Sequence, residues 1–125
     1  MEVFASALVG HLVGDYLFQN DWMALNKKAS SFHCAVHCFI WTVCVMAFSG
    51  VIFHGGLMPV IVFWILFGTH FLQDRTGLIR WYMRAIGQEK FATGPCSPWS
   101  IIVVDNVWHI VTIWLVWKFL IEGSA

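Results

Sequence analysis

The sequence predicts an all-α, polytopic membrane protein: a four-helix transmembrane bundle with an amphipathic extension after the third helix. Three observations carry this expectation. The 125 residues are 59% hydrophobic and only 11% charged, with a mean hydropathy of +0.73, whereas soluble domains are about a quarter charged and about half apolar. A soluble chain this small could not hide so much apolar surface. Four apolar segments each approach the roughly 20 residues needed to cross a bilayer. Backbone exposed to lipid must satisfy its own hydrogen bonds, so such segments are helices.

The chain, residues 1–125, reads as a single membrane domain with helices over about 3–22, 32–53, 58–86 and 99–121. The N-terminus, Met1-Glu2-Val3, lacks a basic leader region, and His11 and Asp15 interrupt its apolar run. It therefore reads as a retained first helix rather than a cleaved signal. Gly10 and Gly14 give that helix a small-xxx-small face for close helix approach. A polar stretch follows, and Ser30 or Ser31 is placed to cap the second helix. His54-Gly55-Gly56 and Pro59 turn the chain into the third. Beyond Leu72 the third segment becomes amphipathic, with Arg75, Arg80 and Arg84 among Leu78, Ile79, Trp81, Tyr82 and Met83, the pattern of an interface-lying helix. Gly94-Pro95-Cys96-Ser97-Pro98 marks the loop before the fourth.

Lys27 and Lys28 lie between segments one and two; Arg75, Arg80, Arg84 and Lys90 lie between three and four. In a four-span chain these regions share a side. The positive-inside rule puts them in the cytoplasm of a bacterial inner membrane and puts both termini outside. Lys118 argues weakly the other way. Trp99, Trp114 and Trp117 fit interfacial anchors. Formal net charge is +0, so nucleic acid is not an expected partner. The expected partners are membrane lipid and a further copy or larger membrane complex. Cys34, Cys38 and Cys44 on one segment and Cys96 in a loop do not form a disulfide framework.

The chemistry is concentrated in one pattern. Segment one holds His11 and Asp15, segment two His33 and His37, segment three His70 and Asp74, and segment four Asp105 and His109. Every pair is spaced i,i+4, about 6 Å of rise and slightly over one turn, so both members share a helix face. These pairs take five of the six histidines and three of the four aspartates. Each lies in the expected cytoplasmic half of its helix, so antiparallel packing brings the eight groups into one layer.

Ionisable side chains inside a membrane are costly and mark function by default. Neutral imidazoles with carboxylates are a natural ligand set for a divalent metal, Zn first, with Mn and Fe also compatible. Eight ligands exceed one tetrahedral ion, which points to a dinuclear centre of the kind built in helical bundles. Asp15, Asp74 and Asp105 are the candidate catalytic carboxylates. A divalent ion lowers the pKa of bound water towards neutrality, so the leading expectation is a metal-dependent hydrolase. A site in the cytoplasmic half is reached from the inner leaflet, which favours a lipid or lipid-linked phosphoester. Lys28, Arg75 and Arg80 are candidates to hold its phosphate. Two other readings stand beside this one. A metal or proton relay would require polar residues through the outer half, which instead carries Val43, Val45, Met46, Ile61, Val62, Ile113 and Leu115. A non-catalytic accessory subunit would use the metal as a staple. An open metal position facing a cleft separates the enzyme from the staple.

Several polar residues receive lesser expectations. Gln19, four after Asp15, is placed to touch the ligand set from outside or to solvate a helix end. Gln73 reads as packing or capping. His54, alone in a loop, has no expected role. Cys34 and Cys38 are rotated about 100° from His33 and His37, which argues against a shared ligand role.

The run His11-Leu12-Val13-Gly14-Asp15-Tyr16-Leu17-Phe18-Gln19, with Asp21-Trp22-Met23-Ala24 and Lys27-Lys28, resembles the opening of the DUF3307 family, small uncharacterised bacterial and phage membrane proteins. His33-xxx-His37, His70-Phe71-Leu72-Gln73-Asp74-Arg75 and Asp105-Asn106-Val107-Trp108-His109 resemble its later motifs in the same order. Asn106 stands where the family pattern has Gln. The resemblance spans nearly the whole chain and implies a small membrane protein. Metal-dependent membrane hydrolases also place His and Asp on membrane helices, as an analogy. Di-iron desaturases use denser histidine motifs than the one HxxxH here.

Overall fold

A computed structural model describes residues 2–124; Met1 and Ala125 lie outside the described residues. Among the described residues the chain is all-α, without strands. Helix α1 spans Glu2–Leu12 and runs on as a π turn over Val13–Leu17. Short α2, Asp21–Asn26, starts at Asn20, whose side chain accepts a hydrogen bond from the Met23 amide at 3.1 Å. That cap ends the first apolar segment before Trp22, earlier than its composition suggests, because Asn20 opens a new helix.

Helix α3 spans Ser31–Phe48. It stops at Gly50, whose φ of 77° is reached without strain only by glycine. Helix α4, Met58–Arg75, begins with Pro59 in its first turn. The predicted continuous third helix is broken at Thr76-Gly77. The Thr76 hydroxyl donates to the Leu72 carbonyl and accepts from the Leu78 amide, which ends α4 and starts α5, Leu78–Ala85. Helix α5 buries Ile79 and Met83 and exposes Arg80 and Trp81, the expected amphipathic split. Short α6, Glu89–Thr93, leads to α7, Trp99–Val116, which runs on as a π turn to Ile121.

The four long elements pack as a ring in which α1 lies beside α3 and α7, and α4 also lies beside α3 and α7. The Gly10 and Gly14 face is what lets α1 approach α3. A Cβ at Gly10 would stand 2.6 Å from the Cys44 carbonyl oxygen, and one at Gly14 would stand 2.9 Å from Trp41 Cα. One half of the bundle has a dry core of Ala7, Val45, Val62, Leu66, Ile113 and Val116. The other half holds the polar residues. At that polar end the two basic loops touch: the Lys28 ammonium donates to the Gln73 and Thr76 carbonyls, and the Arg75 guanidinium donates to the Lys28 and Ala29 carbonyls and the Ser31 hydroxyl.

Two helices, Ser31–Phe48 and Trp99–Ile121, are long and apolar enough to cross a membrane. The other two apolar segments fall short of that criterion. The first is divided by its π turn. The third carries His70, Gln73, Asp74 and Arg75 within an 18-residue helix. The exterior is strongly apolar: Leu17 is 74% exposed, Trp64 63% and Phe119 66%, and Phe39, Val103 and Trp114 also face outward.

Candidate metal centre

The polar half of the ring gathers side chains from all four helices. His11 and Asp15 come from α1 and its π turn, His37 from α3, His70 and Asp74 from α4, and His109 from α7; all are buried. Asp105, one turn before His109, is half-buried at the edge of the group. The π turn that carries Asp15 is a form that recurs at functional sites.

Four atoms converge most tightly: Asp15 Oδ1, His37 Nε2, His70 Nε2 and Asp74 Oδ2. The two ring nitrogens are 3.0 Å apart. His37 Nε2 lies 3.3 Å from Asp15 Oδ1 and 3.1 Å from Asp74 Oδ2. His70 Nε2 lies 3.7 Å and 3.3 Å from the same two oxygens. A tetrahedral ion with bonds of about 2.0–2.1 Å to N and O has ligand-to-ligand edges of about 3.3 Å. The five separations involving a ring nitrogen bracket that value, and the set whose ligand atoms all lie within 4.8 Å of one another is Asp15, His37 and His70.

The other Asp15 oxygen, Oδ2, faces the opposite way, 3.2 Å from His11 Nδ1 and 3.5 Å from His109 Nδ1. One carboxylate therefore addresses both halves of the cluster. A second convergence joins Asp74, Asp105 and His109, and a third joins Cys38, His70 and Asp74.

The polar accounting also fits a cation. Both ring nitrogens of His109, and Nδ1 of His37 and of His70, are buried without a hydrogen-bond partner. Such orphans are rare; an ion would account for the His109 nitrogens, whereas Nδ1 of His37 and of His70 lies across the ring from the Nε2 atom that faces the cluster. Packing holds these rings instead: His70 stacks on His109 at 4.1 Å and on Trp41 at 4.1 Å. With neutral imidazoles, three carboxylates face one ammonium, that of Lys27, which bonds Asp74 Oδ2 at 2.8 Å and Gln19 at 2.8 Å. The net negative charge that remains favours a bound cation, because buried charge without a partner is expensive. Burial alone would lower the Lys27 pKa; the Asp74 carboxylate outweighs it and holds the group above the ordinary lysine range. At Lys28, burial prevails and the pKa is lowered. The buried His/Asp groups could hold a metal ion, and the donor set leaves its identity open.

A cavity of about 480 Å³ opens against this cluster. Asp74 and Asp105 form part of its wall, with Lys27, Lys28, Arg75 and Arg80 around them and Ile79, Ile101 and Ile102 as an apolar side.

Residues 3–125 match the family described as "protein of unknown function (DUF3307)". The chain belongs to that family. No curated protein and no solved structure matches significantly.

In this DUF3307 chain, seven of the eight sequence-predicted ligands sit in or at the edge of the cluster. His33 does not. It lies half-buried one turn before His37, packed against Trp22 of α2 with ring centroids 4.2 Å apart, because α2 folds over that end of α3. Four participants escaped the sequence reading. Lys27 looked like a topology signal but turns inward. Cys38, set aside for its rotation from His37, lies on the flank of α3 that meets α4, which brings its Sγ near His70 and Asp74. Trp41 donates its indole N–H to His11 Nδ1 at 2.9 Å. The Asn106 side-chain oxygen lies 3.1 Å from His11 Nε2. Gln19 does touch the group from outside, through Lys27 and the Asp15 carbonyl. Gln73 is buried, with its amide 3.5 Å from the Thr112 hydroxyl.

Proposed function

We propose that this chain is an integral membrane protein in which α1, α3, α4 and α7 form a four-helix transmembrane bundle around a divalent-metal centre, and that it is a metal-dependent hydrolase of a lipid or lipid-linked phosphoester. The observation that carries the reading is the cavity wall. Two candidate ligands, Asp74 and Asp105, border an open space whose other charged groups are cationic. A metal used only as a staple needs no opening; a catalytic one keeps a position for substrate.

The membrane reading is supported by the two apolar helices and by large apolar side chains exposed around the ring, far beyond the usual patch on a soluble monomer. The basic loops lie together at the cavity end, which in a bacterial inner membrane is the cytoplasmic end. Amphipathic α5 lies at the same end and suits the headgroup layer. Under this topology both termini are outside, and substrate enters from the inner leaflet.

The residues divide the work. A divalent ion polarises a phosphoryl oxygen and activates water at neutral pH; zinc suits the N/O donor set, as do manganese and iron. Asp74 and Asp105 fix the reacting end. Arg75 has its donors committed to loop carbonyls and shapes the cavity mouth. Arg80 makes no hydrogen bond or ion pair among the described residues, so its fork is available to a phosphate. Lys27 and Lys28 add positive charge beside it. A relay across the membrane is disfavoured by the dry half of the core.

The test is hydrolysis of phosphatidic acid, and of a soluble phosphomonoester for comparison, by metal-loaded chain in mixed micelles. Asp105→Asn should lower turnover by roughly a hundredfold or more, and Arg80→Gln should raise KM. Full activity in Asp105→Asn, or no hydrolysis by metal-replete protein across a lipid phosphoester panel, would end the hydrolase reading.

A further inference from the structure

The cluster offers more nitrogen and oxygen donors than one ion can use, and they are not equivalent. His11 is the member least free to bind. An indole N–H only donates, so the Trp41 bond at 2.9 Å requires an unprotonated Nδ1 with its lone pair already used. The remaining ring nitrogen, Nε2, then carries the proton and donates to the Asn106 oxygen at 3.1 Å. Both nitrogens of His11 are thus engaged by protein. The 3.2 Å approach of Asp15 Oδ2 to His11 Nδ1 is then a contact between two acceptors rather than a hydrogen bond.

His109 is the opposite case. It is 2% exposed, and neither of its nitrogens has a hydrogen-bond partner. With Asp74 and Asp105 it forms a three-residue set whose ligand atoms lie within 4.8 Å of one another. Two of its three members line the cavity, whereas none of Asp15, His37 and His70 does.

We propose that the cluster binds two divalent ions of different character: a resident ion enclosed by Asp15, His37 and His70, and an exchangeable ion held by Asp74, Asp105 and His109 at the cavity wall. Asp74 Oδ2, 3.1 Å from His37 Nε2 and 3.3 Å from His70 Nε2, lies between the two sets. His11 is a positioning residue that Trp41 and Asn106 keep out of both, and it sets the rotation of the helix that presents Asp15. The enclosed set has no member on the cavity wall, whereas two members of the other set form part of it, which is the distinction between closed structural and open catalytic sites. Lys27, bonded to Asp74 Oδ2, lies against both sets and limits the positive charge they tolerate. This inference rests on the metal reading of the cluster but not on hydrolysis.

The experiment is calorimetric titration of Co²⁺ into metal-stripped, detergent-solubilised full chain. Two binding events are expected, the first tighter by roughly tenfold or more. Asp105→Asn should remove the weaker event and leave the tighter one. His11→Gln, which keeps a donor and an acceptor for Asn106 and Trp41, should retain both. Two equal events, both events surviving in Asp105→Asn, or loss of an ion in His11→Gln would overturn the assignment while leaving a metal centre in place. No Co²⁺ binding at all would overturn this inference and the metal reading together. Ordered loading without phosphoester turnover would leave this inference standing and remove the hydrolase.

Discussion

The Nε2 atoms of His37 and His70 face each other at 3.0 Å across α3 and α4, with a carboxylate oxygen from Asp15 and one from Asp74 beside both. Two imidazole nitrogens at that distance share at most one proton, whereas a cation between them satisfies all four atoms. Metal should therefore stabilise the fold. An ion bound at about a thousand times its dissociation constant adds about 4 kcal/mol. Chelation should lower the melting temperature in detergent, and the shift should be much smaller in His37→Ala.

Among the described residues Lys27 is the lysine or arginine that pairs with Asp74, at 2.8 Å, and both side chains are largely buried. Removing one partner of a buried pair costs about 3–5 kcal/mol. Lys27→Met should destabilise the metal-free chain by about that amount and the metal-loaded chain by less, because the ion supplies a second positive partner. Chemical denaturation of both forms checks the difference. An equal loss in the two would show that Asp74 faces no ion.

The i,i+4 pairs were legible in the sequence because a helix fixes which face a residue shares with its neighbours, whatever the tertiary fold. That logic located His11, Asp15, His37, His70, Asp74, Asp105 and His109. It failed at His33 because the fold of α2 over α3, with Trp22 against His33, is decided by tertiary packing. It failed at Cys38 for the converse reason: a residue rotated away from one face can still meet a different neighbour, here α4. The inward turn of Lys27 depends on the path of the loop after α2, which no periodicity encodes. The breaks at Asn20 and at Thr76-Gly77 shorten two apolar segments that composition alone presents as continuous.

Close approach of α1 to α3 depends on Gly10. Its added Cβ would meet the Cys44 carbonyl oxygen at 2.6 Å, a backbone atom that cannot swing away. Gly10→Ala should cost about 1–3 kcal/mol through overpacking. Gly55→Ala, where an added Cβ meets nothing within 4 Å, is the matched control and should melt like the parent.

Trp41 combines a stacking face for His70 with a donor for His11. Trp41→Phe keeps an aromatic ring and removes the donor, which leaves His11 Nδ1 unpaired at a cost of about 1–3 kcal/mol. Denaturant unfolding should show that loss. Unchanged stability would mean that His11 does not depend on the indole N–H.

The most direct test of the central claim is the metal content of detergent-purified chain, measured by elemental mass spectrometry without chelators and compared with His37→Ala. The arrangement of Asp15, His37, His70 and Asp74 predicts at least one tightly held divalent ion per chain, lost in the variant. Protein that stays metal-free after add-back of zinc, manganese and iron would contradict the account and leave the cluster a hydrogen-bonded polar network.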